Sequence, residues 1–82
     1  VEYVVLERSF PKPVTAEDVV RFHEELGCLD LYRVTPVRSY LMPDAKRMVC
    51  IFQAPDAEAL RSVERVNGLP GGTVWSCSLH FP

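Results

Sequence analysis

Two short amphipathic segments, each opened by a side chain able to cap a helix, punctuate this chain and leave strand-like runs before, between and after them. The first starts at Thr15, whose hydroxyl can accept an amide hydrogen of the first turn, with Asp18 three residues on in the capping-box place. Val19, Phe22 and Leu26 then repeat at helical spacing and predict a core stripe, and Gly27 predicts a left-handed stop. The second opens at Pro55-Asp56, with Asp56 as cap and Glu58 in the first turn, where a negative charge suits the helix dipole. Its spacing predicts Ala59, Leu60, Val63 and Val66 on a buried face and Arg61, Glu64 and Arg65 on a wet one, with a stop at Asn67-Gly68.

The runs around these helices read as strands. Tyr3 to Ser9 carries Val4, Val5 and Leu6 and is ended by Pro11 and Pro13, which cannot donate to a ladder. In the extended stretch Leu29 to Leu41, Pro36 confines the firm strand to Val37 to Leu41. Pro43-Asp44-Ala45-Lys46 is turn chemistry, so Arg47 to Ala54 is the second arm of a hairpin. Leu69-Pro70-Gly71-Gly72 is a loop, Thr73 to Leu79 a last strand, and Phe81-Pro82 a short tail. The order strand, helix, strand, strand, helix, strand predicts an α+β fold: a ferredoxin-like βαββαβ sandwich with an antiparallel sheet and two helices on one face. Eighty-two residues make one domain, 1–82.

Two helices cover one side of such a sheet, so the other side must be polar or be covered. Alternation puts Tyr3, Val5 and Glu7 on one face, as it does Arg38 and Tyr40, and Trp75, Cys77 and Leu79; in the third strand Met48, Cys50 and Phe52 oppose Val49, Ile51 and Gln53. No strand offers a purely polar second face. A sheet apolar on both sides predicts a homodimer, or a larger homo-oligomer, packed sheet against sheet.

Composition narrows the classes. With 48% hydrophobic and 24% charged residues the chain is not disordered. A net charge of −2 without any basic block argues against nucleic acid as a partner. Apolar runs are too short for a bilayer span and no signal-peptide pattern opens the sequence, so the expectation is a cytoplasmic protein without a membrane partner. Three cysteines, Cys28, Cys50 and Cys77, form no CxxC pair and no even framework.

Few residues carry chemistry. His23 lies beside the apolar stripe of the first helix, and His80 near the C-terminal end could reach a neighbouring subunit; neutral imidazole at either place is a ligand for nickel, zinc or copper. The structural alternative is a core-edge His23 and a solvated His80. Cys50 sits mid-strand with no base or cation next to it, the setting of an inert buried thiol. Glu7, Arg38 and Tyr40 can meet on the bare sheet face, either as a structural ion pair or as an acid, cation and phenol around a small-molecule ligand.

Several stretches resemble one family. They are Val4-Val5-Leu6-Glu7-Arg8-Ser9-Phe10 with Pro11, then Arg38-Ser39-Tyr40 and Arg47-Met48-Val49-Cys50, then Ala54-Pro55-Asp56-Ala57-Glu58-Ala59, and Asn67-Gly68-Leu69-Pro70. Together they are similar to small bacterial nickel-responsive, nickel-binding proteins. The resemblance implies a ferredoxin-like homodimer concerned with metal sequestration or response, with nickel or another divalent transition metal as its cofactor. Nickel-binding members are rich in histidine on the first strand, the hairpin and the second helix; here the corresponding places hold Glu7 and Glu64, and His23 and Cys50 are the matching residues able to ligate. The chain thus resembles a histidine-poor branch of that family.

Two readings follow. In the first, a dimer holds a divalent metal on His23, Cys50, Glu7 and His80. In the second, a cofactor-independent enzyme of cyclase, isomerase or monooxygenase type uses Glu7, Arg38 and Tyr40 as catalytic residues in a cavity of the dimer, an expectation from fold analogy alone.

Overall fold

The computed structural model of the chain describes residues 2–69 and 72–80. The elements are β1 (Glu2–Ser9), α1 (Ala16–Glu25), β2 (Thr35–Leu41), β3 (Arg47–Ala54), α2 (Ala57–Val66) and β4 (Thr73–Cys77). Each strand pairs antiparallel with its neighbours in the order β2-β3-β1-β4. That is the ferredoxin-like arrangement, with both crossovers passing over one face of the sheet. No helix among the described residues is long and apolar enough to cross a membrane.

Both helix starts form as their sequences dictate. Thr15 Oγ1 accepts the Asp18 N–H at 3.1 Å and the Asp18 carboxylate accepts the Thr15 N–H at 2.9 Å, a complete capping box despite the short aspartate. Asp56 accepts the Ala59 N–H at 2.9 Å. The core lies between helices and sheet: Val4 and Leu6 of β1, Met48, Cys50, Phe52 and Ala54 of β3, Val74 of β4, and Leu60 and Val63 of α2. The bare face therefore carries the opposite set, Tyr3, Val5 and Glu7, Arg38 and Tyr40, Val49, Ile51 and Gln53, and Trp75 and Cys77.

Four expectations change. Gly27 is not a left-handed stop: the chain leaves α1 extended at Leu26, and the positive φ falls on Cys28. Gly27 is instead gripped by Asn67, whose amide accepts its N–H at 2.8 Å and donates to its carbonyl at 2.9 Å. Gly68 does take a positive φ, +66°, at the end of α2. The buried face of α2 is Leu60, Val63 and Glu64, an i, i+3, i+4 set, while Val66 is half exposed. Strand β2 begins at Thr35, because Pro36 sits on the sheet's edge where a missing N–H costs no ladder bond, and a bulge follows it. Strand β4 ends at Cys77, so Leu79 lies beyond it. Pro70, Gly71 and the tail Phe81-Pro82 lie outside the described residues.

Candidate metal centre beneath the first helix

The hairpin turn sets the register of the site. The Met42 N–H donates to the Arg47 carbonyl at 2.9 Å, which closes the hairpin and places Ser39 opposite Cys50. Counting back by alternation, Ser39 and Cys50 form a non-hydrogen-bonded pair, the kind whose side chains approach closely. Both point toward the helices. Above them, α1 presents Ala16, Val19, Val20 and His23, an i, i+3, i+4, i+7 stripe beside the core stripe of Val19, Phe22 and Leu26.

Three polar side chains from three elements meet here. His23 Nε2 lies 2.5 Å from Ser39 Oγ and 3.6 Å from Cys50 Sγ, and Ser39 Oγ lies 3.2 Å from Cys50 Sγ. Cys50 is fully buried. His23 is half-buried, with its ring edge-on to Phe22 and 5.9 Å from Phe52 between centroids. Burial pushes the His23 imidazole below its ordinary pKa, so it is neutral. Burial also pushes the Cys50 thiol up, opposed by the Ser39 hydrogen bond and the nearby Arg8 charge, so the sulfur keeps its proton. Arg8, from β1, stacks its guanidinium 5.4 Å from the Phe22 ring centre, and its Nε and Nη1 are buried without a hydrogen-bond partner.

His23 and Ser39 also line a cleft between α1 and the edge strand β2. It has a volume of about 460 Å³ and walls of Ala16, Val19, Val20, Pro36, Val37 and Leu41. It opens because α1 is shallowly seated: none of its residues is fully buried, and Val20 and Val37 face solvent across the gap. His23 thus stands between the cleft, which Arg38 also lines, and the buried Cys50 thiol.

The two side chains have the spacing of two ligands to one ion. For a zinc-sized ion, a nitrogen at about 2.0 Å and a thiolate at about 2.3 Å lie about 3.5 Å apart at the tetrahedral angle, against about 3.1 Å at a right angle. The observed 3.6 Å matches the tetrahedral edge. Imidazole and thiolate suit zinc, nickel and copper. Two donors do not complete a coordination sphere, and among the described residues no three of His, Cys, Asp and Glu gather within reach of one ion.

The other residues singled out from the sequence lie elsewhere. Glu7 is on the bare face and pairs with Arg47 at 3.1 Å. Arg38 and Tyr40 share that face and touch each other, Arg38 Nη1 donating to the Tyr40 hydroxyl at 3.5 Å. Tyr40 and Glu7 flank Val49 in one lateral row, so two strand spacings, about 10 Å, separate their backbones. His80 lies past β4 and is within 2.7 Å of Ser78 Oγ. One chain therefore brings His23 and Cys50 together and leaves Glu7 and His80 apart from them. Ser39, which links the pair, carried no role in the sequence reading; its signal is its place opposite Cys50 once the four-residue turn fixes the hairpin.

Comparison with known proteins agrees with this architecture. The crystal structure of SCO4226 from Streptomyces coelicolor A3(2) superposes with a TM-score of 0.82, covering 96% of this chain and 99% of that one at 16% identity, a likeness of fold. No curated protein sequence matches the chain. The profile of the nickel responsive protein SCO4226-like family matches residues 3–76. The chain belongs to the nickel-responsive SCO4226-like family.

Proposed function

We propose that this protein binds a divalent transition metal, nickel by its family, with His23 and Cys50 as the ligands each chain supplies. The observation that carries the reading is the 3.6 Å separation of Nε2 and Sγ, with His23 lining an open cleft and Cys50 buried behind it. A neutral imidazole is ready to ligate. The buried thiol must lose its proton to the medium as the metal enters, so binding releases a proton. Two donors do not complete a sphere, so water, a small-molecule ligand or a group from a second chain would have to supply the rest. The ion would serve sequestration or response; the chemistry of the pair calls for no substrate turnover.

The protein acts in this reading as a cytoplasmic homodimer. The bare face supports association: Val49 and Ile51 lie half-buried at its middle beside the already buried Val5, with Tyr40 and Trp75 exposed at either side. A second sheet packed there would bury this apolar strip. Dimerisation is also the route by which His80, Glu7 or Cys77 of another copy could approach a metal. The enzymatic alternative has less behind it, since the Glu7 carboxylate is engaged by Arg47 and the Arg38 guanidinium by Tyr40.

Isothermal titration of the metal-stripped protein with nickel, and in parallel with zinc, tests the reading. Micromolar or tighter binding that His23→Ala or Cys50→Ser abolishes is the expected result. No heat, or weak binding indifferent to both substitutions, would refute it.

A further inference from the structure

The cleft between α1 and β2 has apolar walls and a single charge. Its volume of about 460 Å³ lies within the range of small-molecule sites, roughly 300–1,000 Å³. Ala16, Val19 and Val20 of α1 face Pro36, Val37 and Leu41 of β2 across it. Val20 is 56% exposed and Val37 41%, so an apolar occupant would cover surface that the fold alone leaves wet. The bulge between Pro36 and Arg38 leaves Val37 without a partner in the ladder and adds it to the rim.

The polar groups decide what kind of molecule fits. His23 offers the cleft its ring rather than a hydrogen bond: Nε2 is taken by Ser39, and Nδ1 is buried without a partner. The Ser39 hydroxyl is committed to His23 and Cys50. Arg38 is the charged residue in the lining. Tyr40 accepts from only one of its guanidinium nitrogens, at 3.5 Å, and among the described residues Arg38 has no carboxylate partner. It stands on the edge strand, so no further strand lies between it and the cleft's mouth. The carboxylates of α1 stay off the lining: Glu17 and Glu24 border a separate hollow with Arg21, and Asp18 is held in the cap.

We propose that the α1–β2 cleft binds a small apolar acid, its hydrocarbon or aromatic body between Val20 and Val37 and its carboxylate on Arg38. This does not depend on a metal at His23 and Cys50. The walls hold the body by burial alone, so they select for size and apolarity. The guanidinium selects the head group, since it meets a carboxylate with two parallel N–H bonds and an opposite charge, where an alcohol takes one bond and no charge. Arg38 is exposed, and an exposed ion pair is weak. The walls therefore carry most of the affinity, and the charge carries the preference for an acid over its neutral analogue.

The test is a titration of the metal-stripped, isotope-labelled chain with phenylbutyrate and with phenylbutanol, which share a body and differ in charge. Amide resonance shifts locate the site and give the affinity. The expected result is saturation by the acid with a dissociation constant below about 1 mM, with shifts centred on Val20, Val37 and Ser39. The alcohol should bind at the same place roughly fivefold more weakly, the worth of an exposed ion pair. Arg38→Gln should bring the acid down to the level of the alcohol and leave the alcohol unchanged. Val20→Glu, at an exposed position that the core does not use, should weaken both compounds, the acid by roughly tenfold. If neither compound saturates, or the shifts centre on Val5 and Ile51 of the bare face, the cleft is not the binding site and the proposal falls. It falls equally if the alcohol matches the acid, or if Arg38→Gln leaves the acid's affinity untouched, because the charge then selects nothing. Failure of the nickel titration would leave these outcomes as they are.

Discussion

The two helices cover the same sheet in different ways. Helix α2 drives Leu60, Val63 and Glu64 below the surface, and its Arg61 reaches the Val74 carbonyl of β4 at 3.0 Å. Helix α1 buries no residue completely and leaves a cleft between itself and β2. On α2 the fully buried Leu60 and Val63 close the core, while α1 offers the half-buried Val19, Phe22 and Leu26. The loosely seated helix is the one carrying His23, and the under-packed side of the sandwich is the one through which the proposed metal would enter, at the expense of local stability.

The strongest way to break this contrast is to truncate one apolar residue on each helix. Leu60→Ala removes a fully buried side chain from the tight side and should cost about 2–5 kcal/mol. Val19→Ala removes a half-buried one from the loose side and should cost about 1 kcal/mol. Urea denaturation of both variants measures the difference. A domain this small has little stability to lose, so Leu60→Ala should leave it near unfolding at 37 °C. Equal losses would mean that α1 is seated as firmly as α2 and that the cleft closes in solution.

A smaller effect is expected where the two helices are tied together. Asn67, at the end of α2, binds Gly27 just past α1 through both halves of its amide and also donates to the Val63 carbonyl at 2.8 Å. Asn67→Ala should cost about 1–3 kcal/mol, since it leaves polar backbone groups to find water. The loss should be uneven: amide hydrogen exchange ought to speed up in α1 well before α2, because α1 has less packing in reserve. Thr15→Ala, which breaks the capping box at the far end of α1, should cost about 1 kcal/mol with the same bias. Uniform loss of protection across both helices would remove the distinction drawn between them.

These particulars show which features were legible in the sequence. Caps, turn residues and alternating strands are local signals, so the order of elements, the hairpin and the fold were readable. His23 and Cys50 were readable as ligand types, and the family resemblance raised both. Their meeting was not, because it depends on which face of β3 turns to the helices, and Met48, Cys50 and Phe52 are as apolar as their alternates Val49 and Ile51. Ser39 escaped notice because a serine in a strand has no periodic signature. Glu64 was assigned to the wet face on charge alone. Its neighbours Leu60 and Val63 place it inward, and Gly72, where a Cβ would come within 2.7 Å of the Glu7 carbonyl oxygen, lets the chain pass close to β1 near it.

Glu64 gives the smallest and most diagnostic prediction, because it titrates oppositely to its counterpart on α1. Burial pushes the Glu64 carboxyl above its ordinary value, against the pull of Arg8, a hydrogen bond from the Gly72 N–H, and Arg61. A group held high in the folded chain contributes stability below its unfolded pKa and loses it as pH rises through the folded value. Asp18 is held low by the Thr15 N–H and hydroxyl, with Arg21 adding to the effect, so its contribution is present at neutral pH and disappears as pH falls. Through the acid range the two work against each other, and the wild-type profile should be flatter than either alone. Glu64→Gln keeps an acceptor for the Gly72 amide and removes the charge. It should change stability at neutral pH by less than about 1 kcal/mol, yet make the rise in stability from pH 3 to pH 7 steeper, as the Asp18 contribution is no longer opposed. Urea midpoints across that range read the slope. A profile unchanged by the substitution would mean that water reaches Glu64, and that α2 is less tightly seated than its apolar face implies.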